Sequence, residues 1–130
     1  MFKNNDLKHC DVMPPKRSGF TRLYFATIYS CRGIKAAFSS EAAVRQEIVA
    51  MALLIPIVFI LDVTNSERVL LLFSLFIVLI TELLNTAVEK LSDHVSTDMH
   101  ELIGKAKDIG SAAVFISLIL ALVTWGIILL

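Results

Sequence analysis

Several signatures of soluble enzymes are missing from this sequence. The two cysteines, Cys10 and Cys31, stand far from any metal-ligand spacing, and we expect no disulfide between them. The Gly-Lys pair at 104–105 is not a phosphate loop, because Met99 occupies the position of the upstream glycine and Ala106 replaces Ser or Thr. Zinc spacings, a nucleophile elbow and a dinucleotide fingerprint are absent too, which excludes the commonest soluble catalytic sites.

An excess of charge of either sign is also missing. The chain has 12 Lys and Arg residues against 12 Asp and Glu residues, so bulk charge gives no argument for a nucleic-acid partner, and none is expected. Apolar residues are abundant instead, at 56% of the chain with a mean hydropathy of +0.74. This is too apolar for a soluble domain of 130 residues and predicts a membrane protein.

Hydrophobic patterning divides the chain into a tail and one membrane domain. Residues 1–18 are polar without an apolar period, which predicts a disordered tail, and some 40 mostly polar residues precede the first apolar run, which argues against a cleavable signal peptide. In residues 19–39, apolar side chains recur at three- and four-residue steps with basic side chains beside them, as in an amphipathic surface helix. Gly33 is the expected place of a break or bend. The predicted fold is all-α, with this helix and three transmembrane helices at about 41–61, 69–89 and 112–130.

The links between the predicted helices give the orientation. Ser39 or Ser40 is expected to cap the first span, a polar turn follows at 62–68, and a charged segment occupies 97–111. Eight of the Lys and Arg residues precede the apolar part of the first span, three lie between the second and third spans, and only Arg68 lies in the 62–68 turn. The positive-inside rule therefore places the N-terminus and the 90–111 loop of this multi-pass protein in the cytoplasm.

Three polar side chains interrupt the most apolar run of the sequence. Glu82, Asn85 and Glu89 are spaced i, i+3, i+7, so Glu89 lies about 20° and Asn85 about 60° from Glu82 around a helix. A charged side chain at bilayer depth costs at least about 2.5–3.5 kcal/mol, and such residues are functional candidates by default. This stripe is therefore the predicted centre of the chemistry.

The polar inventory on the cytoplasmic side suits phosphoryl transfer. Mg²⁺ usually takes one or two carboxylates together with substrate phosphates, which Glu41 and Glu89 could supply. Lys107 and Arg22 could provide the cations, and Glu82 is the deepest carboxylate and the candidate general base. A base at that depth reaches the hydroxyl of a lipid more easily than that of a soluble sugar.

Each of these residues also has a structural interpretation. Glu82 with Asn85 could be hydrogen-bonding contacts between helices, and Glu41 with Arg45 has the i, i+4 spacing of a surface ion pair. His100 could be a solvated loop residue, and Asp93 the polar end of a helix.

Four segments resemble the small prokaryotic diacylglycerol kinases. They are GFTRLYFATIYSCRG (19–33), EAAVRQE (41–47), ELLNTAVEKLSD (82–93) and GKAKDIGSAAV (104–114), and the likeness covers about residues 19–130. The resemblance implies a homotrimer of three-span subunits that transfers the γ-phosphoryl group of ATP to diacylglycerol. Cys31 departs from the pattern, since a larger residue is expected there.

The resemblance also assigns roles by position. Glu82 would be catalytic, Asn85 would support the site, and Glu41 and Glu89 would bind Mg²⁺. The residues expected to contact ATP are Arg22, Tyr29, Glu41, Glu89, His100, Lys107 and Asp108. Those expected to contact the lipid substrate are Arg22, Arg45, Glu47, Glu82 and Ser111.

Three other functions remain open from the sequence. Close relatives that phosphorylate undecaprenol share the glutamate pattern. A small proton-linked transporter subunit could use the Glu82 and Glu89 stripe as a relay, although the outer halves of the spans offer no acceptor path. A purely structural membrane protein would leave the stripe unexplained.

Overall fold

The computed structural model describes residues 18–95 and 100–130 and consists of four helices over those ranges. They are α1 (Phe20–Ser40), α2 (Ala42–Ile60), α3 (Asn65–His94) and α4 (His100–Leu129). Three of them, α2, α3 and α4 from Glu101 onward, are long and apolar enough to cross a membrane, which confirms the predicted all-α fold with three spans. The predicted tail lies outside the described residues, apart from its last one.

The helix ends show where local chemistry differs from expectation. The hydroxyl groups of Ser39 and Ser40 donate to the carbonyls of Lys35 and Ala36, so they close α1 and do not cap α2. The N-cap of α2 is Glu41, whose side chain makes no capping hydrogen bond. The prediction of a serine cap was therefore wrong, and α1 has no break at Gly33, since it is continuous from Phe20 to Ser40.

Helix α3 begins with a capping box. The Glu67 backbone N–H donates to Thr64 Oγ1 at 3.2 Å, and the Thr64 backbone N–H donates to Glu67 Oε2 at 2.8 Å. This reciprocal pair satisfies two backbone donors at a helix start. It begins α3 at Asn65, within the stretch predicted as a turn.

Helix α3 is the centre of the unit formed by residues 34–130. It packs against both α2 and α4, whereas no Cα atom of α2 lies within 8 Å of a Cα atom of α4 among the described residues. Its buried residues include polar as well as apolar side chains, namely Leu71, Ser74, Leu75, Val78, Asn85 and Thr86. The α2 side of this core consists of Val44, Met51 and Val58.

Side-chain hydrogen bonds fix the antiparallel register of α3 and α4. Trp125 Nε1 donates to Ser74 Oγ at 3.1 Å near one end, and Thr81 and Ser117 share a hydroxyl–hydroxyl bond of 2.9 Å midway. Near the other end, Lys107 Nζ donates to an Asp93 carboxylate oxygen at 2.9 Å. The indole of Trp125 is thus part of a helix–helix contact.

The predicted charged segment 97–111 is helical from His100 onward, and residues 96–99 lie outside the described residues. Two contacts account for helix in this polar stretch. Lys105 pairs with Glu101 one turn earlier at 3.2 Å, and the Lys107–Asp93 bond ties the same turns to α3. Helix α4 therefore extends the last span well beyond its apolar part.

Arg68 closes the other end of α2. Its guanidinium donates to the carbonyl of Val58, in the last turn of that helix, and to the carbonyls of Leu61 and Val63, which follow the helix end. A helix leaves its last carbonyls without intrahelical partners, and here one cation from α3 satisfies them. The turn between α2 and α3 is therefore held by a side chain as well as by its backbone.

Replacing Arg68 by Met should lower the free energy of unfolding by about 1.5–3 kcal/mol, the range for hydrogen bonds to charged groups. The control is Lys105→Met, whose exposed i, i+4 pair is worth only about 0.3–0.5 kcal/mol. Both variants would be unfolded in detergent micelles and compared with the parent chain. Equal midpoints for the two variants would show that Arg68 does not hold the turn.

Candidate functional site

The predicted stripe on α3 is present, and its middle member is the most buried. Asn85 is 9% exposed, whereas Glu82 and Glu89 are of intermediate exposure. Asn85 Nδ2 donates to Glu89 Oε1 at 3.4 Å, and Asn85 Oδ1 is buried with no hydrogen-bond partner among the described residues. The amide thus bonds to a carboxylate one turn along the same helix and leaves an acceptor unused.

Four carboxylates gather where the start of α2 meets α3. Glu82 lies close enough to Glu89 and Glu41 for their charges to interact, and Glu47 is within the same range of Glu82. One cation partly balances them, since Lys90 Nζ lies 3.7 Å from Glu41 Oε1. The i, i+4 pair of Glu41 with Arg45 is therefore not formed.

Arg45 has a different set of partners. Its Nη1 atom donates to the carbonyl oxygens of Phe38 at 3.0 Å and Ser39 at 3.2 Å. These are carbonyls at the C-terminal end of α1, so the guanidinium joins that end to the first turns of α2. In the described contacts, Arg45 therefore orients the helix junction and makes no contact with the stripe.

Helix α4 contributes the third side of the site. Lys107 faces Asp93 on α3, whereas Asp108 and Ser111 are exposed. The side chain of His100 lies outside the described residues. Gly110 lies against the stripe, because a Cβ built on it would be 2.5 Å from Asn85 Oδ1.

The remaining two candidates belong to the unit that ends at Gly33, which is described by itself. Arg22 and Tyr29 are both exposed on α1. Tyr29 packs against Phe25 with ring centroids 6.3 Å apart, and the guanidinium carbon of Arg32 lies 6.0 Å from its ring centroid. A cation over an aromatic ring at this distance is a weak cation–π contact, so this turn of α1 presents a positive and aromatic surface.

A groove runs along α3 between α2 and α4. At one end a cavity of about 310 Å³ has three polar lining residues, Gln46, Glu47 and Glu82, among apolar ones. An adjoining cavity of about 320 Å³ shares four lining residues with it, Glu47, Ala50, Val78 and Leu118, and continues between apolar side chains, namely Leu54, Leu75, Ala121, Leu122 and Trp125. The groove therefore leads from carboxylates to an apolar interior and is bounded by only three helices.

The carboxylates suit a divalent cation only in part. Within residues 18–95 and 100–130, no group of three or more His, Cys, Asp or Glu side chains could hold a metal ion. Glu41 and Glu89 nevertheless provide two carboxylates, and the Lys90 ammonium beside Glu41 shows that the place accommodates positive charge. Two carboxylates are what Mg²⁺ takes when substrate phosphates complete its shell, so the donor set fits that metal.

Sequence reasoning missed two residues of this site, Lys90 and Gly110. Lys90 follows Glu89 directly and has the appearance of an ordinary helix-surface lysine. Gly110 could have been recognised from the sequence as a packing position, because glycine inside a helix is unfavourable by about 1 kcal/mol relative to alanine and usually has a packing reason.

Comparisons with known proteins agree on one family. The family model described as prokaryotic diacylglycerol kinase matches residues 28–129. A protein named diacylglycerol kinase from Escherichia coli (strain K12) is 48% identical over 117 residues, which make up 90% of this chain and 96% of that protein. Proteins of the same name from Haemophilus influenzae and Helicobacter pylori are 46% and 39% identical over 114 residues, covering 88% of this chain and 97% and 89% of their own lengths.

Proposed function

The chain belongs to the prokaryotic diacylglycerol kinase family and is a lipid kinase that phosphorylates diacylglycerol; we propose that ATP is the donor, that Mg²⁺ is the metal and that Glu82 is the general base. The observation that carries the site assignment is the position of Glu82 at the polar end of the groove between α2 and α4. A carboxylate there faces both an apolar channel and the polar cluster. A lipid alcohol needs such a surrounding when it reacts with a soluble nucleotide.

The groove supports the lipid side of the proposal. The backbones of α2 and α4 stay more than 8 Å apart (Cα to Cα) over their described residues and border a common groove, so an acyl chain can enter between them and lie against Leu75 and Val78 of α3. Its hydroxyl end then lies beside Glu82 and Glu47. The other residues proposed to contact the lipid headgroup are Arg22, Arg45 and Ser111.

The proposed reaction is a direct transfer. The hydroxyl oxygen of diacylglycerol forms a bond to the γ-phosphorus of ATP, the bond from that phosphorus to the β–γ bridging oxygen breaks, and ADP leaves. Glu82 accepts the hydroxyl proton, as general bases do in phosphoryl transfer. The products are phosphatidic acid and ADP.

Glu41 and Glu89 are the residues proposed to hold Mg²⁺. When bound, the metal neutralises charge on the nucleotide phosphates. The chain itself contributes the orientation of Glu89, which accepts a hydrogen bond from Asn85 Nδ2 at 3.4 Å. Arg22, Tyr29, His100, Lys107 and Asp108 are proposed to contact ATP, and Lys107 would exchange Asp93 for phosphate.

The expected homotrimer and orientation are also proposals. Glu41, Glu82 and Glu89 all keep intermediate exposure in the single chain, and carboxylates facing lipid are costly. Association of subunits around α3 would cover such groups without closing the groove. The excess of Lys and Arg before α2 and around α4 supports a cytoplasmic site in the bacterial inner membrane.

The function is tested by purifying the full chain in detergent micelles and measuring transfer from γ-labelled ATP. Labelled phosphatidic acid should form with diacylglycerol and only when Mg²⁺ is present. The parallel reactions contain undecaprenol or no added lipid. Preferential labelling of undecaprenol would move the chain to that substrate, and no labelled lipid from folded protein would contradict the kinase assignment.

Two isosteric variants separate the proposed roles of the glutamates. Glu82→Gln should lower kcat by about 10²–10⁴-fold, the usual contribution of a general base, and leave the KM for Mg-ATP within a few-fold. Glu89→Gln should instead raise the KM for Mg-ATP and the Mg²⁺ requirement. Gln46→Glu, at the same cavity, is the control for an altered carboxyl count. A Glu82→Gln enzyme that keeps its kcat would rule out Glu82 as the base.

Lys90→Met tests the ammonium beside Glu41. Because Lys90 competes with the metal for that carboxylate, its removal should lower the Mg²⁺ concentration for half-maximal rate by up to about fivefold, since exposed ion pairs are worth about 0–1 kcal/mol. Lys105→Met removes a lysine paired with Glu101 instead and should have no such effect. Equal Mg²⁺ curves for both variants would show that Lys90 does not compete.

A further inference from the structure

Gly110 occupies a position in α4 where no other residue type fits without displacement. A Cβ on this glycine would lie 2.5 Å from Asn85 Oδ1, 3.5 Å from Asn85 Cγ and 3.9 Å from Asn85 Cα. Real Cβ atoms are essentially never found below 3.0 Å from another heavy atom. The close approach therefore involves the amide oxygen alone, since the distances to Cγ and Cα are those of ordinary van der Waals contacts.

Backbone conformation does not explain this glycine. Among the described residues the one positive-φ glycine is Gly19, so Gly110 has ordinary helical geometry that alanine also adopts. Alanine is the better helix former, so a Gly110→Ala change whose methyl group met no other atom would stabilise the helix. The other glycines of α4, Gly104 and Gly126, have nothing within 4 Å of an added methyl group. Space, and not helix geometry, therefore requires glycine at position 110.

The group that uses this space is the buried amide of Asn85. A buried amide is costly unless its atoms are hydrogen-bonded, and Asn85 has one such bond, from Nδ2 to Glu89 Oε1. Oδ1 points at Gly110 without a partner among the described residues, so this hydrogen bond alone does not account for the orientation of the amide. The shape of the α4 surface at Gly110 allows the oxygen to lie there and so directs the nitrogen toward Glu89.

We propose that Gly110 is a positioning residue of the active site, which acts through the Asn85 amide on the carboxylate of Glu89. The proposal rests on the assignment of Glu89 to Mg²⁺ above. A methyl group at 110 forces Oδ1 away, rotates the amide and removes the donor from Glu89. Partners that orient a metal ligand typically change metal affinity or activity by about 10–100-fold when they are lost.

A double-mutant cycle tests the route through Asn85. Gly110→Ala should raise the half-maximal Mg²⁺ concentration and the KM for Mg-ATP about tenfold or more, with a smaller change in kcat. Gly126→Ala, on the same helix, should stay within about twofold of the parent, because nothing meets its methyl group. In the Asn85→Ala background the Gly110→Ala change should have no further effect on these constants, because the amide that meets the methyl group is gone.

Two outcomes would overturn the proposal. One is a Gly110→Ala enzyme that matches Gly126→Ala. The other is an equal loss from Gly110→Ala with and without Asn85, which would mean that the methyl group acts on the α3 backbone. If Gly110→Ala does not fold, the double variant with Asn85→Ala should regain the folded state, and its failure to do so would also count against the proposal.

A readout independent of activity distinguishes this inference from the metal assignment. The side-chain amide resonance of Asn85 in micelles, identified by its loss in Asn85→Ala, should shift in Gly110→Ala and remain in place in Gly126→Ala. If Glu89→Gln leaves the Mg²⁺ requirement unchanged while the Asn85 resonance still responds to Gly110→Ala, the metal role fails and the positioning contact stands. An unshifted resonance in Gly110→Ala overturns the positioning contact itself.

Discussion

The need to satisfy polar groups inside apolar surroundings controls most of this structure. Helix α3 carries the buried amide and hydroxyl groups; Trp125 and Ser117 of α4 are hydrogen-bond partners of Ser74 and Thr81, and Gly110 of α4 leaves space for the Asn85 amide. Without water, such groups bond to neighbouring helices or remain costly. The register of α3 against α4 is therefore specified by a few polar contacts, since apolar side chains pack against each other in many registers.

The same arrangement leaves α2 apart from α4 and keeps a groove open along α3. A tighter bundle would bury more surface, but it would close the groove that is proposed to lead a lipid alcohol to Glu82. Helix α2 packs on α3 through Val44, Met51 and Val58, and polar contacts add to this packing at its two ends, the Lys90–Glu41 pair at one and Arg68 on the last carbonyls at the other. Glu47, Ala50 and Leu54 of the same helix border the groove.

The sequence was sufficient for the elements whose signal is local. Long apolar runs gave the three spans, and the i, i+3, i+7 spacing gave the stripe of Glu82, Asn85 and Glu89. It was insufficient wherever a residue's partner lies on another helix. Serine is a preferred N-cap residue, yet the Ser40 hydroxyl donates to the Ala36 carbonyl one turn earlier in α1. Lys90 is recognised as part of the site only through its pair with Glu41, which is distant in sequence. Whether a glycine provides space or flexibility likewise depends on what faces it.

Two lysines of the site are paired with carboxylates, and this affects how a charged ligand binds under the proposed function. Lys90 faces Glu41, and Lys107 faces Asp93 at 2.9 Å. A metal arriving at Glu41 or a phosphate arriving at Lys107 replaces an existing partner, so each charge is neutralised before and after binding. Such exchange avoids leaving an uncompensated carboxylate beside the apolar groove, which is costlier than a weak surface pair. The net binding free energy is then reduced by the ion pairs that are broken. The site therefore favours a ligand that carries both a cation and an anionic phosphate, as a metal–nucleotide complex does.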